Sequence, residues 1–293
     1  DLPPSLLGYA SVGVKMRILL ATLDSLEHLD FQRGVLDNEA CARLANMIEG
    51  EYVLAPQLTH LKVSEAFSGD DGAASVFKAI GTRPMVFQSV QTLAVVSRHM
   101  KVNACRALGS ALQNALPKLQ KLRLLSTPIG SNGFISLLRG IEDSACASTL
   151  RELTFSKCGI CVEGAKLLGL LIGWDCLPSL QELVLSGNQN LGDEGVTYLA
   201  QGLQGSSKIK LDSLLLNSVG MGDAGLKSLA EAIESGALLE CRKIDVNSNA
   251  PLCNIIPFSC ALRCGGLKNL TFVAFNQNKI EPHEVTVVAS ALI

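Results

Sequence analysis

Residues 180–203 read LQELVLSGNQNLGDEGVTYLAQGL, and this stretch decides the fold. Its leucines at the first, fourth and sixth positions follow an LxxLxL spacing, which predicts a short strand that buries alternate side chains. Asn188 and the Gly-Asp-Glu-Gly segment that follows indicate a turn. Val196, Leu199 and Leu203 then share one face of a predicted helix. The stretch therefore holds one complete strand–turn–helix unit.

The same unit recurs along nearly the whole chain. Nine predicted strands follow one another in steps of 29–32 residues, and they begin at Leu26, Leu58, Val90, Leu119, Leu150, Leu180, Leu211, Cys241 and Leu270. Such regularity is typical of a solenoid, in which each repeat packs only against its neighbours. We predict a repeat domain over residues 26–293. Residues 1–25 are predicted to form an N-terminal helix that serves as a partial repeat or a cap.

Composition agrees with stacked aliphatic layers and excludes some classes of protein. The 293 residues are 48% hydrophobic but only 4% aromatic, and the formal net charge is -2. That balance argues against a general nucleic-acid binder, which usually carries a basic excess. The most apolar run, residues 167–172, is far shorter than the roughly 20 residues of a membrane span. Ten cysteines, scattered singly, favour reduced thiols in a cytosolic or nuclear protein.

The turn after each strand contains a position at which a side-chain amide could satisfy backbone groups. We call it the asparagine position. Asn188, Asn249 and Asn278 are the asparagines found there. The remaining repeats place other residue types at this position, namely Gly34, Ala66, Arg98, Thr127, Cys158 and Val219. The early repeats are therefore more degenerate in their turns than the later ones.

The pattern LxxLxLxxN, followed by a Gly-Asp-x-Gly segment and a helix, resembles the ribonuclease-inhibitor-like class of leucine-rich repeats. Members of this class include ribonuclease inhibitor, the repeat domains of NOD-like receptors, Ran GTPase-activating protein and actin-regulating scaffolds. The resemblance covers residues 26–293. It implies an α/β solenoid shaped as a horseshoe, with parallel β-strands on the concave face and α-helices on the convex face.

Two short motifs resemble cofactor or metal sites but are better explained by the repeat. Residues 220–225 read GMGDAG, a GxGxxG between a strand and a helix, as in dinucleotide sites. Gly192 and Gly195 occupy the same register in the preceding repeat, and Met221 falls at a layer position. Residues 158–161 form a CxxC, but a zinc site requires two further ligands. We predict no cofactor, no metal and no catalytic residue.

His28 and His60 occupy equivalent strand positions in adjacent repeats. Parallel strands lie roughly 4.8 Å apart, so these histidines are predicted to be neighbours on the concave face. They could form a two-histidine metal clip or a pH-sensitive contact. The simpler interpretation is a pair of solvated surface histidines.

The strand residues between the layer leucines are predicted to line the concave face. There Val96 beside Leu125, and Val184 beside Leu215, would form apolar spots within a polar groove, as protein interfaces do. We predict that a partner is contacted by Arg33, His60, Lys62, Val96, Arg123, Leu125, Glu152, Val184, Leu215 and Asp245.

The sequence therefore predicts a non-enzymatic scaffold that binds a partner protein on its concave face. It is expected to bind neither nucleic acid nor membrane, and to be monomeric or part of a longer chain. The expected location is the cytoplasm, with the nucleus as an alternative. The resemblance also allows two other functions, which are GTPase activation of the Ran type and ligand sensing as one arm of a larger receptor.

Overall fold

One parallel sheet organises the chain. The computed structural model describes residues 27–32, 36–50 and 57–291, so the predicted N-terminal segment 1–25 and Arg33 lie outside the described residues. Nine strands pair in chain order, each parallel to the next. They are β1 (His28–Phe31), β2 (His60–Ser64), β3 (Thr92–Val96), β4 (Lys121–Leu125), β5 (Glu152–Ser156), β6 (Glu182–Val184), β7 (Ser213–Leu215), β8 (Lys243–Asp245) and β9 (Phe272–Ala274).

Helices return the chain from one strand to the next. The described residues contain α1 (Asn38–Glu49), α2 (Asp70–Thr82), α3 (Pro84–Phe87), α4 (Val102–Ala115), α5 (Gly130–Glu142), α6 (Val162–Gly173), α7 (Gly192–Gly205), α8 (Asp223–Glu234), α9 (Ile256–Arg263) and α10 (Pro282–Ala291). Helices of successive repeats pack side by side on the outer, convex face, and the sheet lines the inner, concave face. The predicted α/β leucine-rich repeat solenoid is confirmed.

A single apolar core runs between the sheet and the helices. In the fourth repeat, Leu122 and Leu124 of β4 and Phe134 and Leu138 of α5 all belong to this core, and none of these four side chains is exposed to solvent. Successive strand residues point to opposite faces, so Arg123, which lies between the two leucines, points to the concave side. Burying a side chain of this size stabilises the fold by about 1.5–3 kcal/mol.

Asparagine side chains hold the turns of adjacent repeats together. The Asn188 Oδ1 atom accepts hydrogen bonds from the backbone N–H groups of Cys158 (3.0 Å) and Ile160 (3.1 Å) in the preceding repeat. Its Nδ2 group donates to the carbonyls of Phe155 and Leu185, both at 2.7 Å. All four backbone groups would otherwise be buried without partners, so this side chain completes the stack.

Cys158 and Thr127 occupy the same position in their own repeats, as predicted, with fewer hydrogen bonds. The third repeat corrects the prediction, because Ser97 rather than Arg98 occupies the asparagine position. The Ser97 N–H donates to Thr127 Oγ1 (3.0 Å), and the Ser97 side chain is fully buried. Arg98 instead points to solvent, where its Nε lies 3.3 Å from Glu65 Oε1.

Left-handed backbone precedes the asparagine position in most repeats. Non-glycine residues adopt a positive φ there, and they are Glu65, Ser126, Lys157, Ser218, Ser248 and Gln277, with Gly187 in the sixth repeat. The third repeat shows no positive φ at this point, which accounts for its one-residue shift. A side chain in this conformation is strained, so the bonds of the turn must outweigh the strain.

Candidate functional site

The strand register sorts the concave side chains into rows that cross the sheet. The first row joins the opening residues of the strands, which are His28, His60, Thr92, Lys121, Glu152, Glu182, Ser213, Lys243 and Phe272. The second row lies two residues further along each strand and contains Asp30, Lys62, Ala94, Arg123, Thr154, Val184, Leu215, Asp245 and Ala274. A third row includes Val96 and Leu125. All of the predicted contact residues except Arg33 therefore lie in these rows.

An ion pair occupies the centre of the concave face. The guanidinium of Arg123 donates to Glu152 through Nε and through Nη2, the latter at 2.5 Å from Oε2. Thr154 Oγ1 donates to Glu152 Oε1 at 3.0 Å, and Lys121 Nζ lies 3.9 Å from Oε2. Only 5% of Glu152 is exposed, because Arg123 covers it. Glu152 therefore offers little surface of its own and acts mainly to fix Arg123.

The charge state of Glu152 follows from these contacts. Burial alone would raise the pKa of its carboxyl group, but hydrogen bonds from Arg123 and Thr154, together with the charges of Arg123 and Lys121, outweigh burial and lower it. The pKa of Arg123 is raised in turn, chiefly by its hydrogen bonds to Glu152. Both groups are therefore ionised at neutral pH, and the pair forms a fixed electrostatic feature.

Glu182 lies directly opposite Glu152 on the next strand. Burial raises the pKa of its carboxyl group, and the negative charge of Glu152 raises it further. Within the described residues Glu182 makes no ion pair, whereas Glu152 makes two. A half-buried carboxylate in this position can accept a hydrogen bond from a molecule bound on the concave face.

A groove of about 770 Å³ runs along the edge of the sheet at which β4 to β8 begin. Its lining carries both signs of charge, and Arg242 Nε lies 3.2 Å from Asp212 Oδ1. The basic and acidic lining residues are equal in number, and the full lining is Gln120, Lys121, Arg151, Glu152, Gln181, Glu182, Lys210, Asp212, Glu240 and Arg242. Such a surface favours a partner that also presents both signs of charge.

Apolar side chains interrupt this polar surface at two places. The register that pairs Val95 with Leu124 carries Val96 next to Leu125, and Leu125 is 36% exposed. At the far end, Phe272 is 45% exposed, and Lys243 Nζ lies 5.3 Å from its ring centroid. Phe272 lies outside the predicted contact set, although its position between layer residues predicts that it lines the concave face.

The predicted apolar spot at Val184 and Leu215 is smaller than expected. The two residues are directly paired, as predicted, but Val184 is only 8% exposed. Side chains on the inside of a curved sheet converge, and Thr154, which pairs with Val184 on its other side, is also buried. Little apolar surface therefore remains at this spot.

The two N-terminal histidines are stacked. His28 and His60 pair directly across β1 and β2, and their ring centroids are 4.2 Å apart at an interplanar angle of 18°. His60 Nδ1 lies 2.8 Å from Thr59 Oγ1, and Lys62 forms an ion pair with Asp30 in the second row at 3.0 Å. Burial lowers the pKa of His60, as do the charges of His28 and Lys121, while Glu27 opposes the shift.

This arrangement predicts that stability falls on mild acidification. Because the pKa of folded His60 lies below its unfolded value near 6.5, protons bind more readily to the unfolded chain. The stability that neutral His60 contributes is therefore complete above its unfolded pKa. It is lost as the pH falls below that value and through the lower pKa of the folded state. We expect a loss of at most about 1 kcal/mol between about pH 7.5 and about pH 5.5, since solvent screens the pair. Thermal unfolding of the parent and of His60→Gln would measure this loss, and an unchanged pH dependence in the variant would assign it to other groups.

The CxxC motif is divided between the core and the surface. Burial raises the pKa of the Cys158 thiol to about 12, and its Sγ donates to the carbonyl of Leu124 at 3.3 Å. Cys161 Sγ instead contacts Ser131 Oγ and Glu163 Oε2, each at 2.7 Å. The two thiols therefore contact different groups and do not point to a shared site. Across the described residues, no cluster of three or more potential metal ligands is found.

The GxGxxG motif also follows from stacking of the repeats. Gly220 has a φ of 75°, and a Cβ at this residue would lie 2.2 Å from the carbonyl oxygen of Gln189 in the preceding repeat. Met221 is completely buried and fills the layer. Both residues thus have structural roles. Over the described ranges, every helix is too short or too polar to cross a membrane.

Comparisons with known proteins agree with the repeat pattern. Residues 176–200 match a family model described as "Leucine Rich repeat". The chain is 27% identical over 231 residues to ribonuclease inhibitor from Sus scrofa, a match that covers 79% of this chain and 47% of that protein. It is 29% identical over 216 residues to ribonuclease inhibitor from Mus musculus, covering 71% and 45% respectively. The chain thus spans about half the length of these curated relatives.

A solved structure was also matched. The crystal structure of the yeast Rad7 and Elc1 complex is similar to this chain with a TM-score of 0.38 and 13% sequence identity, over 96% of this chain and 87% of that one. A similarity at that level bears on neither fold nor function. The nine-stranded parallel sheet, the asparagine position and the sequence relatives lead to one assignment. The chain has the fold of a leucine-rich repeat solenoid and is similar in sequence to ribonuclease inhibitors.

Proposed function

We propose that this chain is a non-enzymatic protein-interaction scaffold that binds a partner protein on its concave face. The observation that carries the proposal is the partly exposed Val96–Leu125 pair beside the Arg123–Glu152 ion pair. An apolar patch with a charged, hydrogen-bonded rim is typical of protein interfaces. The relatives carry the name ribonuclease inhibitor, which is consistent with a protein as the partner.

Rigidity supports this function. The strands that carry the contact residues are held by one continuous core, and Glu152 fixes the guanidinium of Arg123 before any partner arrives. Binding to a preorganised surface loses little conformational entropy, which for a mobile side chain amounts to about 0.5–1.5 kcal/mol. The concave face can therefore present widely separated contacts at small entropic cost.

The proposed contact residues divide by role. Leu125 and Val96 would supply apolar contact area, while Arg123, Lys62, His60 and Asp245 would supply charge and hydrogen bonds. Glu152 would position Arg123, Val184 and Leu215 would contribute little area, and Arg33 is retained from the sequence pattern alone. All ten cysteines are free thiols. Since free thiols persist in reducing compartments, we also propose a cytoplasmic or nuclear location.

The test is affinity capture from cell extract with three forms of the domain. The parent is compared with Val96→Glu/Leu125→Glu, which places two charges in the concave apolar patch. The matched control is Met85→Glu, which makes the same kind of change at an exposed residue of α3, outside the sheet. Circular dichroism first establishes that all three forms fold.

Retention of a protein by the parent and by Met85→Glu, but not by the double variant, is the expected result. A buried charge without a partner in the complex should weaken binding by at least about tenfold. Equal retention by all three forms would contradict binding at the concave face. The GTPase-activating alternative makes a separate prediction, namely that the domain accelerates GTP hydrolysis by a captured GTPase.

A further inference from the structure

The convex face carries a groove between α6 and α7 that the concave face does not explain. It has a volume of about 260 Å³. Two large apolar side chains border it, and both are exposed, Trp174 by 62% and Leu170 by 41%. Exposed large apolar side chains that share one groove mark an interaction site more often than isolated ones do.

Glycines form the floor of the groove, and the helix packing explains only some of them. A Cβ at Gly169 would lie 2.3 Å from the carbonyl oxygen of Tyr198, and one at Gly202 would lie 2.1 Å from that of Gly169, so these glycines permit the close contact of α6 with α7. At Gly173 and Gly205, a Cβ would meet no atom closer than 3.5 Å. Neither of these two has a positive φ.

The close contact of α6 with α7 therefore does not require glycine at residue 173 or at residue 205. Glycine forms helices less readily than alanine, and alanine would fit at either of these helix-terminal residues. What both glycines do is keep the groove open beside Trp174. The open groove is thus a feature that the packing of the solenoid does not require.

Charge gives the groove a direction. Of its nine lining residues only Lys166 is charged, and its Nζ lies 5.2 Å from the ring centroid of Tyr198. At the opposite end, α6 and α7 both terminate, at Gly173 and Gly205, and helix C-termini carry partial negative charge. The lining of the groove therefore carries one positive charge towards one end, and two helix C-termini lie at the other.

We propose that this groove binds an amphipathic helix of a partner protein. Its apolar residues, spaced i, i+4 and i+7, would pack on Trp174 and Leu170. Acidic residues near its C-terminus would pair with Lys166, and its N-terminus would face the C-termini of α6 and α7. In this orientation the negative end of its dipole faces Lys166 and the positive end faces the C-termini of α6 and α7. The site is separate from the concave surface and independent of its function.

A second copy of this chain is a poorer occupant. Stable dimers bury on the order of 1,000 Å² or more, whereas the groove is lined by nine residues. The amphipathic helices of the described chain pack their apolar faces in the solenoid core, so none is free to enter the groove of another copy. A helix from another protein has no such constraint.

The test uses tryptophan fluorescence, because Trp174 is the one tryptophan of the chain. The probe is a synthetic, acetylated and amidated amphipathic helix without tryptophan, with leucines at i, i+4 and i+7 and two glutamates in its last turn. A comparison peptide carries lysines in place of the glutamates. We expect a saturable shift of Trp174 emission to shorter wavelength, with the glutamate peptide binding at least about fivefold more tightly than the lysine peptide.

Three variants locate the binding. Lys166→Glu should weaken binding of the glutamate peptide and strengthen that of the lysine peptide. Lys227→Glu makes the same charge change at an exposed residue of α8, two repeats away, and should leave both affinities unchanged. Gly205→Leu fills the groove and should abolish the shift, and thermal unfolding establishes that it folds. If it does not fold, the two charge variants decide alone.

Several results would overturn the proposal. These are the absence of a saturable shift with either peptide, equal affinities for both peptides, or equal effects of Lys166→Glu and Lys227→Glu. A shift that grows with protein concentration alone would assign the groove to a second copy of the chain instead. None of these results depends on the concave face, so failure here and failure of the proposed scaffold function are separable.

Discussion

Replacing Asn188 by alanine is expected to lower the free energy of unfolding by about 3–5 kcal/mol. The Asn188 amide makes four hydrogen bonds to backbone groups of two repeats, and its side chain is 1% exposed. Alanine would leave two N–H and two carbonyl groups buried without partners. Each such group costs about 1–3 kcal/mol, although relaxation and water entry recover part of the sum.

Urea denaturation followed by circular dichroism measures this loss. Asn132→Ala is the control, since Asn132 is exposed on α5 and surface substitutions usually change stability by no more than about 0.5 kcal/mol. A loss below about 1 kcal/mol for Asn188→Ala would show that the amide does not hold adjacent repeats together. A lower urea midpoint with an unchanged slope would confirm that the folded state is the one affected.

Gly202→Ala is expected to destabilise the protein by about 3 kcal/mol, at the upper end for overpacking. The new Cβ would lie 2.1 Å from the carbonyl oxygen and 2.7 Å from the carbonyl carbon of Gly169. These are backbone atoms of a neighbouring helix, so no side chain can rotate away. The helices α6 and α7 must separate, which opens the layer beneath them.

Gly205→Ala is the matched control three residues along the same helix. Its Cβ would meet only Gly173, at 3.5 Å and beyond, and alanine favours the helix. We expect this variant to be neutral or stabilised by up to about 1 kcal/mol. Equal losses in the two variants would contradict both the close contact at Gly202 and the conclusion that Gly205 is not needed for packing.

The sequence sufficed to predict the repeat, because a layer residue is defined by spacing and hydrophobicity alone. Leu122 and Leu124 lie in the core where the pattern places them. The same register predicts the His28–His60 pair, since equivalent positions in successive parallel strands must be neighbours. Repetition turns a local pattern into a three-dimensional contact without further information.

The sequence pattern could not predict side-chain orientation or backbone strain. Ser97, and not Arg98, occupies the asparagine position because the third repeat lacks the left-handed residue that the others have. The sequence does not reveal that conformation, since Glu65 and Ser126 adopt it although neither is a glycine. The Arg123–Glu152 pair depends on the rotamers of two residues in different repeats. Likewise, burial of Val184 follows from curvature, which spacing does not specify.

The convex groove shows a further limit of sequence reasoning. Trp174 follows the last residue of α6, outside any periodic position, so the repeat pattern assigns it no role. The distinction between Gly202, which packing requires, and Gly205, which it does not, rests on distances of about an ångström. Only the three-dimensional structure distinguishes these two glycines.

Carboxyl footprinting of the domain, alone and bound to its captured partner, tests most directly whether the concave face is the binding surface. The labelling rates of Glu182 and Asp245 on the concave face are compared with those of Glu231 and Glu234 on α8. Slower labelling of the concave pair upon binding, with the helical pair unchanged, is the result that the proposed function predicts. Protection of the helical pair, with Glu182 and Asp245 labelled as fast as in the free domain, would contradict it.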